Sequence, residues 1–265
     1  MIRRVSAQIQ AQVTQPAEIV FSVAVAQGAD VASETLSITV DGVEQPTSEL
    51  LAPLGTRLHL VRAALGELRL EYSAEVTGKA VPLVGDDGER IIYLRPSRYA
   101  ESDRIAAVAR AEFDGLTGKD LLDAVSSWVG AQLAYVSGSS RPIDGAVDTY
   151  LARQGVCRDF AHLVVALLRS VNVPARLVSV YAPGLDPMDF HAVAEAWLDG
   201  SWNVVDATAL APRSTMLRIA TGRDAADTAF MTVQSGLANL GGMAVTATVD
   251  PALPADDMTV LHQLR

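Results

Sequence analysis

The chain has very little cysteine: Cys157 is the only one among 265 residues. A single cysteine cannot close an internal disulfide, so no disulfide framework is expected. The opening segment MIRRVSAQIQAQV is too polar for the apolar region of a secretion signal. We therefore expect a reduced, free thiol and a cytoplasmic location.

Long apolar runs and basic clusters are also missing. The run LVVALL is far shorter than the roughly 20 residues of a membrane span. The net charge is −10 and no basic stretch is longer than Arg3-Arg4, which argues against a nucleic-acid partner. The sequence shows no metal-ligand spacing, phosphate loop or dinucleotide fingerprint, so no metal and no cofactor is expected. Hydrophobic residues make up 49% of the chain, enough for the core of one large domain or two smaller ones.

The chain divides into three predicted parts. Residues 1–95 predict a β-rich N-terminal domain, because short, partly alternating segments are separated by Gly, Asp and Pro turns. These segments are IVFSVAVAQ, LSITVDGV, RLHLV and ELRLEYSAEV. Residues 96–230 predict an α+β core, and residues 231–265 a C-terminal tail with short strands.

Two helices are predicted at the start of the core. Pro96 closes the last extended segment, and Ser102 or Asp103 is predicted to cap a helix that ends near Phe113. Thr117 and Asp120 then resemble a capping box for the segment DLLDAVSSWVGAQL.

The segment RQGVCRDFAHLVVALLRS, residues 153–170, predicts a buried helix that begins at the cysteine. Its apolar residues follow the spacing of one helix face: Phe160, Leu163, Val164, Leu167 and Leu168. A thiol at a helix N-terminus lies at the positive end of the helix dipole, which favours the thiolate. Cys157 is therefore a candidate nucleophile. The alternative is a small core residue, because free cysteine is among the most buried residue types.

A nucleophilic cysteine needs a base, usually a histidine. His162 lies five residues after Cys157 on the same helix, about 140° round the axis, and is predicted to be a core residue or one that supports the site residues from behind. Nothing in the sequence around His59 or His262 indicates that either is the base. His191 opens the strand HAVAEAWL, which turns at the hairpin dipeptide Asp199-Gly200 and returns as SWNVVDAT.

The two-residue loop sets the register of this hairpin. Counting outward from it pairs Val193 with Asp206 and His191 with Thr208. His191 and Asp206 are then diagonal neighbours on one face, roughly 7 to 8 Å apart, which allows a hydrogen bond between their side chains. The alternative is that each residue only marks a strand end. The shared face and the upstream cysteine favour the pair.

The motifs GVCRDFAHL, VPARLVSVY, DFHAVAEAW and WNVVDAT together resemble the core of the bacterial transglutaminase-like superfamily, which groups transglutaminases with cysteine proteases. The resemblance covers roughly residues 93 to 230. It implies a papain-like fold, in which the cysteine helix packs on an antiparallel sheet. By motif, Cys157 matches the nucleophile, His191 the general base and Asp206 the orienting acid.

Three further residues lie near these motifs. The resemblance places Tyr135 where family members have an aromatic donor to the oxyanion, beside the Cys157 backbone N–H. The alternative is a buried tyrosine at a helix end. Arg158 stands where relatives often have Gln and adds a positive charge beside the thiol. Asp159 has a structural interpretation: it is an acidic residue in the first turn of the helix, a position that the helix dipole favours.

The implied reaction is acyl transfer through a thioester. His191 takes the thiol proton, the thiolate attacks an amide carbonyl, and water or a second amine resolves the thioester. We expect hydrolysis of a peptide or protein amide, as by a protease or amidase. The alternatives are a true transglutaminase, in which an amine outcompetes water, and a non-catalytic peptide-binding module of the same fold. The oligomeric state is left open.

Overall fold

Strands occupy mainly the two ends of the chain, and most helices lie between them. The computed structural model describes residues 1–265. The strands are β1 Ile2–Phe21, β2 Asp30–Val40, β3 Val43–Glu44, β4 Thr47–Leu51, β5 Arg57–Ala63, β6 Gly66–Thr77, β7 Ala134–Tyr135, β8 Gln154–Gly155, β9 Ala175–Tyr181, β10 Phe190–Leu198, β11 Ser201–Val205, β12 Leu217–Gly222 and β13 Met231–Asp250. The helices are α1 Asp87–Ile92, α2 Ser102–Phe113, α3 Gly118–Gln132, α4 Ala146–Ala152, α5 Cys157–Ser170 and α6 Ala225–Thr228. No helix combines the length and the apolar character that crossing a membrane requires.

The N-terminal strands form one seven-stranded sheet. Its order is β3-β2-β6-β1-β5-β4, and β13 pairs with β1 outside this path. In β1 the buried residues alternate with exposed ones, as in Val5, Ala7 and Ile9, which is the period of a half-buried strand. The strand begins at Ile2, earlier than the predicted segment IVFSVAVAQ, because the alternation extends through the polar opening segment.

The prediction of short strands in residues 231–265 is wrong. Residues 231–250 form one strand of 20 residues, antiparallel to β1 from Ile2 opposite Asp250 to Phe21 opposite Met231. Gly236, Gly241 and Gly242 interrupt the apolar pattern of this segment in the sequence. Irregularities in the register absorb these interruptions without ending the strand. Helix α1 also lies inside the segment predicted to be β-rich, where the Asp86 side chain accepts the Glu89 N–H. The domain boundary near residue 96 stays a prediction.

The core is α+β, with helix α5 packed on an antiparallel sheet, as predicted. Its sheet has the order β11-β10-β9-β12, and all three pairings are antiparallel. Helix α5 contacts β9 and β10 and is buried from Asp159 to Arg169. Its burial on all sides explains why this segment is so rich in apolar residues.

The predicted helix caps are wrong in detail. Helix α2 spans Ser102–Phe113, but Glu101 occupies the N-cap position and makes no side-chain cap. The Glu101 carboxylate instead accepts the Ala146 N–H at 2.9 Å, at the start of α4. Thr117 lies at the N-cap of α3 without a side-chain hydrogen bond. At the start of α2, the contact of Glu101 with α4 has therefore replaced a local helix cap.

The N-terminal sheet packs directly on the core. The Tyr181 hydroxyl of β9 donates to the Val23 carbonyl at 2.8 Å, and the Ser22 N–H donates to the Phe230 carbonyl at 3.0 Å. One hydrophobic cluster of 26 buried residues joins the strands of the N-terminal sheet to β9 and β12. The chain after β1 therefore runs along the side of the core that carries β9 and β12.

Candidate active site

Cys157 is the first residue of helix α5, and the chain before it is tightly held. Val156 is the N-cap residue, and its N–H donates to Asp159 Oδ2 at 2.8 Å. In the short parallel pairing of β7 with β8, Tyr135 lies opposite Gly155. A Cβ atom on Gly155 would lie 2.6 Å from the Asp159 Cβ, so only glycine fits there. This packing fixes the direction in which the thiol leaves the backbone.

Asp159 anchors the helix start, which supports its interpretation as an acidic first-turn residue. It is 1% exposed, and its Oδ1 accepts from Ser140 Oγ at 2.9 Å. Arg158 donates to the same oxygen at 3.3 Å and to the Arg141 carbonyl at 2.7 Å. The Arg158 charge is therefore bound to Asp159 and to the loop at Ser140 and Arg141.

The hairpin has the predicted register. Trp197 lies opposite Trp202, and the pairing continues to Ala194 opposite Val205, where β11 ends. His191 at the start of β10 and Asp206 just after β11 come together: His191 Nε2 lies 3.3 Å from Asp206 Oδ2. Both residues are buried, at 1% and 3% exposure.

The Asp206 carboxylate is fixed by residues that the sequence reasoning did not assign to the site. Its Oδ1 accepts the Thr208 N–H at 2.9 Å and the Thr208 hydroxyl at 2.7 Å. The Ser126 hydroxyl of α3 donates to the Asp206 backbone carbonyl at 3.2 Å. Thr208 could have been found, because the predicted register already placed it opposite His191. Nothing local in the sequence points to Ser126.

The charges of the site favour a protonated imidazole. Burial lowers the pKa of His191, but the hydrogen bond to Asp206 and the electrostatic influence of the nearby Asp206 and Cys157 raise it to about 10. Burial raises the pKa of Asp206, but the hydrogen bonds from His191 and Thr208 leave it below the ordinary value. His191 Nδ1 is buried and has no hydrogen-bond partner within the protein. The Cys157 Sγ lies 4.0 Å from the carbonyl oxygen of Phe190, the residue before His191.

Tyr135 lies beside the cysteine, because it is paired with Gly155, two residues before Cys157. It is 45% exposed and stands in a short strand, so the alternative of a buried tyrosine at a helix end is wrong. Its ring packs against Phe160, with the centroids 5.8 Å apart. Burial of the phenol and the charge of Cys157 raise the pKa of Tyr135 to about 12. The phenol is therefore a proton donor at neutral pH, adjacent to the Cys157 backbone N–H.

The other three histidines do not join this group. His162 is fully buried, as predicted for a core residue, and its Nε2 accepts the Ala225 N–H at 3.1 Å. Burial lowers the pKa of His162 to about 3, so its ring is neutral. His59 lies 3.3 Å from Glu49 in the N-terminal sheet, and His262 is 3.6 Å from Asp256 near the C-terminus.

A cavity of about 500 Å³ opens beside this group. Cys157 and His191 both line it. The geometry therefore combines a thiol at a helix start, a buried imidazole held by a carboxylate, a phenol, and a space large enough for a substrate side chain.

Comparisons with known proteins bear on this arrangement. Residues 107–207 match the family model described as the transglutaminase-like superfamily. The crystal structure named "Putative Cysteine Protease" from Cytophaga hutchinsonii is 32% identical with a TM-score of 0.87, covering 98% of this chain and 96% of that chain. An uncharacterized protein of Mycobacterium leprae is 30% identical over 145 residues, 51% of this chain and 52% of that protein. One from Mycobacterium tuberculosis is 37% identical over 87 residues, 29% of this chain and 28% of that protein. The matches thus span about half or less of these two relatives.

Proposed function

The chain belongs to the transglutaminase-like superfamily, and from this we propose that it is a cysteine-dependent hydrolase of amide or peptide bonds. One observation carries the proposal. The buried His191 ring is bound to Asp206 through Nε2, while its Nδ1 has no partner, and Cys157 shares the adjoining cavity. A nucleophile, a base and a group that orients the base are the parts that thiol acyl transfer needs.

In the first half of the reaction, His191 Nδ1 takes the proton of the Cys157 thiol. The raised pKa of His191 favours retention of that proton as an imidazolium. The thiolate attacks the amide carbonyl and forms the carbon–sulfur bond, and the carbonyl electron pair moves to oxygen. His191 then gives its proton to the leaving amine, the carbon–nitrogen bond breaks, and a thioester remains on Cys157.

We propose two donors for the oxyanion that forms in this step. The Cys157 backbone N–H is the first of helix α5 and has no acceptor within the helix. The Tyr135 phenol lies next to it and is protonated at neutral pH. Such donors stabilise charge that appears only in the transition state.

In the second half, water replaces the amine. His191 takes a proton from the water, and the resulting hydroxide attacks the thioester carbonyl. The carbon–sulfur bond then breaks, the acid leaves, and His191 returns its proton to the sulfur to restore the Cys157 thiol. Asp206 keeps the ring in place by accepting from Nε2 throughout, and Thr208 holds the carboxylate. A primary amine in place of water would give transamidation with the same residues.

The test is turnover of a peptide-amide library by the wild-type protein, Cys157→Ala and His262→Ala. We expect wild-type and His262→Ala to release the free acid and Cys157→Ala to release none. Unchanged turnover in Cys157→Ala would rule out the thiol mechanism. Repeating the assay with an added primary amine distinguishes hydrolysis from transamidation. If the amide of the added amine is the dominant product, the activity is that of a transglutaminase and not of a hydrolase.

A further inference from the structure

The cavity beside Cys157 is lined mainly by apolar and small side chains. Leu177 of β9 and Ala192 of β10 pack together with Ala161 and Cys157, so this apolar surface is continuous with the thiol. Ile219 of β12 lines it as well. Its volume, about 500 Å³, lies within the range of protein ligand sites. It is larger than one aliphatic side chain needs.

The other lining residues come from two separate parts of the chain. Ala226 of α6 and Phe230, just before β13, are in the first. Thr232 and Met243 of β13, a strand of the N-terminal sheet, also line the cavity, as does Ser22, the residue that follows β1. The N-terminal sheet is therefore part of the cavity that contains the thiol.

Charge is scarce around this cavity. Apart from His191, the charged side chains among its lining residues are Arg158 and Asp189. The Arg158 guanidinium is already bound to Asp159 and the Arg141 carbonyl. Asp189 is exposed, and its carboxylate accepts the Phe190 N–H at 2.7 Å. Neither offers a free partner deep in the cavity for a charged substrate group.

We infer that this cavity selects a large apolar side chain of the substrate, close to the scissile amide, and that the N-terminal sheet supplies one selecting wall through Met243. The inference rests on the proposed function, because the amide carbonyl must lie at Cys157 for a neighbouring side chain to enter. An aromatic or long aliphatic group would bury its surface against Leu177, Ile219 and Phe230, which is favourable. An acidic group would lose its hydration there and would find no cation to pair with, only uncharged hydroxyls such as those of Ser22 and Ser179.

The test uses chloromethyl ketones of N-acetylated phenylalanine, alanine and aspartate, which alkylate a cysteine and release chloride. The rate of Cys157 modification is measured by mass spectrometry. We expect the phenylalanyl probe to react about 10-fold faster than the alanyl probe, and the aspartyl probe to react slowest. Equal rates for the three probes would overturn the inference.

Two substitutions locate the selection. Met243→Glu and Ala226→Phe should reduce the ratio of the phenylalanyl to the alanyl rate to near one. Their matched controls, Leu240→Glu on the same strand and Ala107→Phe on α2, lie at exposed positions outside the cavity lining and should keep the wild-type ratio. An unchanged ratio in Ala226→Phe and Met243→Glu would contradict the assignment.

Failure of the proposed function is distinguished by iodoacetamide, which has no such side chain. Equal alkylation of wild-type protein and His191→Ala would remove the catalytic premise itself.

Discussion

His191 Nε2 lies 3.3 Å from Asp206 Oδ2, and this contact uses only one of the two ring nitrogens. Thr208 holds the carboxylate in place, so the Nε2 side of the ring is fixed. The Nδ1 side has no partner within the protein. The available Nδ1 is the atom that the proposed reaction needs for the proton of Cys157.

Replacing Asp206 tests whether this orientation matters for turnover. Asp206→Asn should keep the secondary structure but reduce kcat/KM by about 10³ to 10⁴-fold, since the amide no longer fixes the ring or stabilises its charge. The measurement is amide turnover, with circular dichroism as the check on folding. A well-folded variant with less than a tenfold loss would contradict the orienting role.

The same pair predicts a pH dependence of stability. A histidine in the unfolded chain ionises near pH 6.5, whereas His191 keeps its proton to about pH 10. Its contribution is fully present below about pH 6.5 and is lost as the pH rises through about 10. The lowered pKa of Asp206 acts in the opposite direction: its contribution is present above about pH 4 and is lost as the pH falls through the folded value.

The difference in free energy of unfolding between wild type and Asp206→Asn should therefore be largest at mildly acidic pH and shrink towards about pH 10. Urea unfolding at several pH values measures it. A difference that grows steadily with pH would mean that His191 is not held as a cation by Asp206.

Tyr135→Phe tests the second oxyanion donor. Loss of the phenol should lower kcat by about 100-fold with little change in KM, because the donor acts only in the transition state. Tyr150→Phe is a matched control on α4, where the ring stacks on Trp128. If Tyr135→Phe stays within a factor of two of wild type, the phenol is structural.

Asp159→Ala tests the anchor of the cysteine helix. The half-buried Val156 N–H and Ser140 hydroxyl lose their acceptor, so we expect the free energy of unfolding to fall by about 1 to 3 kcal/mol. Asp148→Ala removes a similar but exposed acceptor at the start of α4 and should cost about 0.5 to 1 kcal/mol. Thermal and urea unfolding measure the loss in free energy of unfolding for both variants. A smaller loss for Asp159→Ala than for Asp148→Ala would contradict the anchoring role.

The parts of the site that local signals define could be predicted from the sequence. The spacing of Phe160 and Leu163 and the break at Pro174 define helix α5, which places Cys157 at its start. The loop Asp199-Gly200 fixes the hairpin register, and that register brings His191 to Asp206. These inferences need only distances along the chain. The catalytic roles of the three residues stay predictions.

The parts that depend on distant contacts could not be predicted. The pairing of β1 with β13 joins Ile2 to Asp250, and glycines obscure the alternation of β13. The exposure of Tyr135 depends on its pairing with Gly155. The cavity exists only because the segment after β1, β13 and α6 come together with β9 and β10, which no local pattern encodes.

The most direct test of the central claim is the pH profile of Cys157 alkylation by iodoacetamide in wild type, His191→Ala and His262→Ala. A thiol paired with His191 should react rapidly at about pH 6, well below the value near 8.5 at which an ordinary thiol ionises. His262→Ala should match wild type, whereas His191→Ala should lose the reactivity at about pH 6 and regain it only as the pH approaches about 8.5. If wild-type Cys157 follows the ordinary profile, or if His191→Ala leaves the profile unmoved, Cys157 is a core residue and the proposed catalytic arrangement is wrong.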